Sequence, residues 1–369
     1  MDPIALAVPF FFVLIAAELA IAKKRGVVVY RFADAVTDLS CGITQQVVQL
    51  FCAAMQLAIY AWVFDHWRLF TVPTVWLPWV LGFLGYDFFY YWWHRLSHEV
   101  NLLWGAHVVH HSSEDYNLSV ALRQGAITSW TELPFMLPLA LVGVPPVPFA
   151  LGKALSTLYQ FWIHTQLVKP IRGPVDLVLN LPSHHRVHHA INPEYLDKNY
   201  AGVFILWDRM FGTYRAEVAP CVYGITKPLG SFNPVWAQVH YWFELVAMTR
   251  AAKGLGQKLW VWFASPAWKP TGYVVETPPI EARIKYDVLL SRNAIAWVVA
   301  NYVGVVAVTF SLLMWHARIP TVVLGLAGAA VVGALIAIGA LLEGRSWAKV
   351  AEVVRLGVAA AAVVAWIKA

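Results

Sequence analysis

Residues 85–111 read GYDFFYYWWHRLSHEVNLLWGAHVVHH. The stretch begins as the aromatic end of an apolar run and finishes on histidines in two spaced groups. His94 and His98 are four apart, so on a helix both imidazoles leave one face. His107, His110 and His111 follow the spacing i, i+3, i+4, which also shares a face. His185, His188 and His189 repeat that pattern directly after His184, and His164 closes the segment Gln160-Phe-Trp-Ile-His164. Residues 94–189, about a quarter of the chain, hold ten of its 13 histidines.

Outward from this stretch the chain reads as membrane protein. Of 369 residues, 59% are hydrophobic and 13% are charged, where a soluble domain carries roughly 25% charged residues. Disorder, collagen-like fibres and small secreted scaffolds are excluded. Apolar runs at 4–22, 41–63, 74–93, 289–311, 319–342 and 347–367 are expected to span. Residues 131–164 are apolar but broken by Val144-Pro145-Pro146, leaving two arms that are each too short to cross. A helical hairpin dipping into the bilayer is expected there, with a polar cap at 165–285. Met-Asp-Pro lacks the basic start of a signal peptide, so the first helix is expected to be retained. Of 27 Lys and Arg residues, 16 lie between residues 94 and 285, which puts the histidines on the cytoplasmic side. The basic residues form no long run beyond Lys23-Lys24-Arg25, which argues against nucleic acid. Cys41, Cys52 and Cys221 are scattered and form neither a disulfide framework nor a CxxC site.

The expected fold class is all-α: a multi-pass helical bundle, read as one membrane domain over 1–369. It comprises N-terminal spans (1–93), the histidine-motif region (94–285) and C-terminal spans (286–369). The membrane is a bacterial inner membrane or the endoplasmic reticulum. The histidine cluster calls for metal. A tetrahedral zinc accepts at most four protein ligands, so eight to ten imidazoles imply two ions. Imidazole suits iron, zinc, copper or nickel, and the residues alone do not choose. His98-Glu99 resembles the start of HExxH, but Leu102 stands where the second histidine belongs, so that protease motif is absent. His66, His240 and His316 read as packing or interfacial residues.

The ordered HxxxH, HxxHH and HxxHH motifs resemble the fatty acid hydroxylase/sterol desaturase superfamily of membrane non-haem diiron enzymes. Residues 94–125, 160–165 and 182–214 resemble its branch that oxidises glyceryl ethers. The resemblance implies that His94, His98, His107, His110, His111, His185, His188 and His189 ligate two Fe ions, with His164 as a further ligand. His184, directly before the last motif, is expected either to ligate or to support a ligand from behind. The resemblance also implies a role beside the metals or at a reductant site for Glu99. Glu114, Asp115, Asn117, Asp197, Lys198, Asn199 and Asp208 are expected either to orient ligands or to satisfy loop backbone. The implied reaction is O2-dependent hydroxylation beside the ether oxygen of a membrane lipid, giving a fatty aldehyde and a glycerol derivative. The implied electron donor is separate, tetrahydrobiopterin in that branch. No Gly-rich nicotinamide or flavin fingerprint is placed between a strand and a helix. Hydroxylation or desaturation of a fatty acyl, sterol or amino-lipid head group is the alternative. A metal transporter is the remote one, because the histidines crowd one edge of the spans and do not line a path across.

Overall fold

A computed structural model describes residues 3–73 and 75–368. Among these residues the ordered structure is helical: α1 (Pro3–Arg25), α2 (Phe32–Trp67), α3 (Leu77–Glu99), α4 (Asn101–His111), α5 (Thr128–Leu141), α6 (Pro146–Trp162), α7 (Pro174–Val178), α8 (Pro182–His189), α9 (Leu206–Phe211), α10 (Pro234–Ala251), α11 (Gly254–Phe263), α12 (Arg292–Trp315), α13 (Thr321–Leu342) and α14 (Ala348–Lys368). Five helical segments are long and apolar enough to cross a membrane: 6–25, 32–67, 292–318, 321–342 and 348–368.

The expected third span falls outside that set. Helix α3 has a comparable length, but it carries Asp87, Arg95 and Glu99 and ends in the first histidine motif. It is sheltered by α5 and α6, which pack along it. Its aromatic run serves that packing: Tyr86 faces Phe149 of α6, while Phe88, Tyr91 and Trp92 pack against Phe211 of α9.

Helix α2 also differs from the expected 41–63. Its 36 residues measure roughly 54 Å at 1.5 Å per residue, against a hydrocarbon core of about 30 Å. Its first turns therefore stand beyond the bilayer. They can do so because Asp34 and Asp38, both buried there, have partners: Ser113 Oγ donates to Asp34, and Ser119 Oγ and the Arg123 guanidinium donate to Asp38. Glu18, the one acid in the apolar run of α1, is likewise buried. It accepts hydrogen bonds from the Tyr30 hydroxyl, the Thr165 hydroxyl and the Leu118 amide. The last two contacts tie α1 to the residue after His164 and to the loop that follows His111.

The hairpin around Val144-Pro145-Pro146 is formed by α5 and α6. Helix α6 crosses α3 backbone to backbone. A Cβ at Gly152 would overlap the Gly82 carbonyl oxygen, and one at Gly82 would meet the Pro148 carbonyl at 2.6 Å. Close approach through small residues is a common way for apolar helices to associate where burial from water contributes little. On the far side, α2, α12 and α13 share an apolar core that includes Val47, Val298, Val305 and Leu335. Because backbone cannot yield as a side chain can, Gly152→Ala should destabilise the protein by about 1–3 kcal/mol. Thermal unfolding in detergent should show this as a clear drop in Tm. Gly304→Ala, where a Cβ meets open space, should leave Tm unchanged.

Candidate metal centre

Four short structural units deliver the histidines. Helix α3 carries His94 and His98 on its last turns, and α4 turns back after Val100 with His107, His110 and His111. His164 follows the end of α6. Helix α8 starts with Pro182 in its first turn and offers His185, His188 and His189. Pro at that position is favourable because its missing N–H has no helical partner to lose.

The imidazoles sort into two groups. His94, His98, His107, His111 and His188 form one; His110, His164, His185 and His189 form the other. Within each group the candidate ligand atoms lie within 4.8 Å of one another. Each HxxHH motif is split: α4 gives two rings to the first group and one to the second, and α8 gives one and two. The groups adjoin, with the His111 and His189 rings stacked at 4.3 Å between centroids. Eight of the nine rings are buried and His98 is half-buried.

Hydrogen bonds from the ring Nδ1 atoms set the direction of the lone pairs. His94 donates to the Tyr200 carbonyl at 2.7 Å, His110 to Arg123 at 2.9 Å, His164 to Gln160 at 2.7 Å and His188 to Lys198 at 3.1 Å. A carbonyl only accepts, so the proton sits on Nδ1 and leaves Nε2 bare. The bare Nε2 atoms then face one another: His110 and His164 approach to 3.3 Å. His94 and His107 Nε2 lie 2.9 Å apart, and His107 and His111 Nε2 3.1 Å. Between His110 and His164, whose protons both sit on Nδ1, two lone pairs cannot share a hydrogen bond. The buried Nε2 atoms of His98, His188 and His189 have no partner at all. Converging ring nitrogens, four of them with the far nitrogen tied to backbone, form the donor set of a transition-metal site. The residues fit two metal ions.

The carbonyls that orient these rings are themselves held. Arg123 is wholly buried: Nε donates to the Val109 carbonyl, Nη1 to Asp38 and Nη2 to Ser112 Oγ. Asp208 accepts from the Tyr200 and Ala201 amides and from Thr213. Asp87 accepts from the Val203 and Phe204 amides and the Trp207 indole. Asp197 and Asn199 both take left-handed backbone, φ 58° and 57°. Asn199 is kept there by bonds to the His184 and Arg215 carbonyls and from the Arg215 amide. Strained residues of this kind collect where geometry must be over-determined. Asp115 and Glu114 tie the loop after α4 to Arg31, Lys285 and the Tyr286 amide. Asn117 bridges the Val29 carbonyl and the Ser119 amide.

Two expected site residues lie elsewhere. His184 is outside both groups because both its nitrogens are already used. Nε2 donates to Asp176 at 2.8 Å, and Nδ1 accepts from the Leu181 amide at 3.2 Å. It fastens α7 to the start of α8. Glu99 is at the rim, partly exposed and paired with Arg95 at 2.9 Å. His66, His240 and His316 each bond a carbonyl of their own helix and join neither group. The sequence reading missed Arg123, Asp38 and Asp34. The available signal was two acids four apart at the start of α2, a cationic partner being required for burial.

Burial keeps the rings neutral. It lowers the pKa of His110 from 6.5 to about 4 and pushes those of His107, His111, His185, His188 and His189 well below the usual value. At neutral pH the ligands are ready for metal without losing a proton.

Comparisons with known proteins agree with this arrangement. Residues 79–213 match the family described as fatty acid hydroxylase. Alkylglycerol monooxygenase from Homo sapiens is 38% identical over 362 residues, covering 96% of this chain and 81% of that protein. The Danio rerio alkylglycerol monooxygenase is 39% identical over 359 residues, 95% and 79% of the two chains. The ornithine lipid hydroxylase OlsE of Rhizobium tropici is 30% identical over 142 residues, 38% and 43%. No solved structure matches.

Protein from iron-supplemented cells should carry two metal ions per chain by elemental analysis. His111→Ala and His189→Ala should each lower that number, whereas His184→Ala should keep both ions. Acid should destabilise the metal-free protein. Its folded state binds fewer protons than the unfolded chain, so the stabilisation is full above about pH 6.5 and is lost as pH falls towards the folded values. A Tm–pH series on chelator-treated protein should fall over the window from pH 6.5 to about 4.

Proposed function

The chain belongs to the fatty acid hydroxylase family of membrane lipid monooxygenases, and on that premise we propose that it oxidises alkylglycerol-type ether lipids at a diiron centre. The observation that carries the metal assignment is the facing of bare Nε2 atoms inside two buried imidazole groups. Support for the substrate is the near full-length similarity to alkylglycerol monooxygenases.

A C–H bond beside an ether oxygen has no acidic proton and no leaving group, so side-chain acid–base chemistry cannot break it. Two irons held by the nine imidazoles would supply O2 activation and C–H oxidation. The ether carbon gains a hydroxyl, the second oxygen atom leaves as water, and two electrons and two protons are consumed. The hemiacetal product collapses to a fatty aldehyde and a glycerol, its hydroxyl proton passing to the departing alkoxide.

The residues of this chain hold, orient and dry the site. The Tyr200, Arg123, Gln160 and Lys198 carbonyls fix the ring orientations. Trp104 covers one side, 5.0 Å from the His98 ring, and Tyr116 covers another, 5.2 Å from His189. Such walls exclude bulk water, which limits side reactions.

The electrons come from outside the chain, with tetrahydrobiopterin as the donor we propose. The histidine centre is assigned to the cytoplasmic side of the membrane. Support comes from the 16 Lys and Arg residues in 94–285 and from Arg345 and Lys349, which sit at the turn between α13 and α14.

In nanodiscs with iron and tetrahydrobiopterin, a 1-O-alkylglycerol should drive O2 uptake and release one fatty aldehyde per O2. The matching 1-acylglycerol should release none. Hydroxylated acyl, sterol or amino-lipid products from a lipid extract, without aldehyde from the ether, would overturn the substrate assignment and leave the metal centre standing.

A further inference from the structure

The tryptophan-rich segment around α10 and α11 takes no part in holding metal, yet its outer surface is conspicuously apolar. Helices α10 and α11 pack inward around Val108, Tyr241, Leu245, Met248 and Val261. Outward they present Phe243, Leu255, Leu259, Trp260 and Phe263, each more than half exposed, with Leu255 at 73%. Leu255, Leu259 and Phe263 are spaced i, i+4, i+8 and form one stripe on α11, opposite the buried Val261. Aqueous surfaces seldom carry so continuous a patch without a partner.

Three anchors give the level at which this surface lies. Glu343, just past the end of α13, accepts from Ser231 Oγ and the Phe232 amide at the start of α10. Gln238 exchanges hydrogen bonds with Ala126 and Gln124, just before α5. Asn101, just past α3, bonds the Ala264 and Val261 carbonyls at the end of α11 and accepts from Tyr241. The α10–α11 unit is therefore laid across the ends of α13, α5 and α3, at the end of the bundle that carries the histidines. The segment also carries a net positive charge: Glu244 of α10 pairs with Lys227 and Lys269, which leaves Arg250, Lys253 and Lys258 without an acid on the two helices.

We propose that α11, with the outer face of α10, is an in-plane membrane helix seated in the anionic leaflet on the histidine-bearing side. An apolar stripe bordered by lysines at the ends of spanning helices matches the headgroup–acyl boundary in both hydropathy and charge. The inner side of α11 packs on Trp104, which touches His98 and His111. Seating α11 thus fixes the height of the metal centre against the leaflet.

The test places single cysteines at Leu259 and, separately, Leu255 in a chain with Cys52→Ser and Cys221→Ser. An environment-sensitive fluorophore is attached and the protein is reconstituted in nanodiscs containing phosphatidylglycerol. Val303→Cys on the exposed side of α12 serves as the lipid reference, and Glu194→Cys, on the exposed turn after α8, as the aqueous one. The Leu259 and Leu255 labels should be quenched by nitroxide lipids as strongly as the Val303 label and should lose access to aqueous iodide. Iodide quenching equal to the Glu194 label would overturn the proposal. Shielding from both quenchers would also overturn it, and would assign the face to a second copy of the chain.

Discussion

Nine converging imidazoles, eight of them buried, form an arrangement that water cannot relieve and protons cannot enter cheaply. Four of the rings, His94, His110, His164 and His188, cannot turn away, because their other nitrogens are bound to the carbonyls of Tyr200, Arg123, Gln160 and Lys198. Two metal ions held by these rings would turn this repulsion into bonding. Much of the remaining architecture serves to keep four carbonyls and four short segments in register around that centre.

The buried polar groups outside the centre follow from this requirement. Arg123 donates to Asp38, Val109 and Ser112 within a wholly buried setting. A buried ion pair is weak evidence for stability, but breaking one by removing a partner costs about 3–5 kcal/mol. Such a pair is costly to leave incomplete, and that makes it specify one arrangement. Here it fixes the start of α2 against α4 and the carbonyl that orients His110. Glu18 does the same for α1, through Thr165 beside His164 and through Leu118. The charges that interrupt apolar helices in this chain are thus clamps on the loops that carry ligands.

The site lies at the end of the bundle and not in its middle, and this matches the oxidation of a membrane lipid proposed for it. The spans and the α5–α6 hairpin offer apolar walls. The turns beyond them carry the charges and the strained loop at Asp197 and Asn199. Walls and loop meet at the histidines, where burial lowers the ligand pKa values and keeps the rings neutral.

Period and spacing were enough to read the helical class, most of the long apolar helices, the hairpin at Val144-Pro145-Pro146 and, among ten candidates, the nine histidines that meet. These are local properties: a run of apolar residues or an i, i+4 pair acts through its own helix. The division of each HxxHH motif between two groups was not legible, because a shared helix face does not say which neighbouring helix it meets. His184 carried the same sequence signal as its neighbours, and only Asp176, eight positions away and on another helix, takes its ring out of the centre. Arg123 and Asp38 are 85 positions apart, so their pairing exists only once α2 has packed against the turn at Val120–Leu122. Local sequence determined which groups could bind metal, and long-range packing decided which of them face one another.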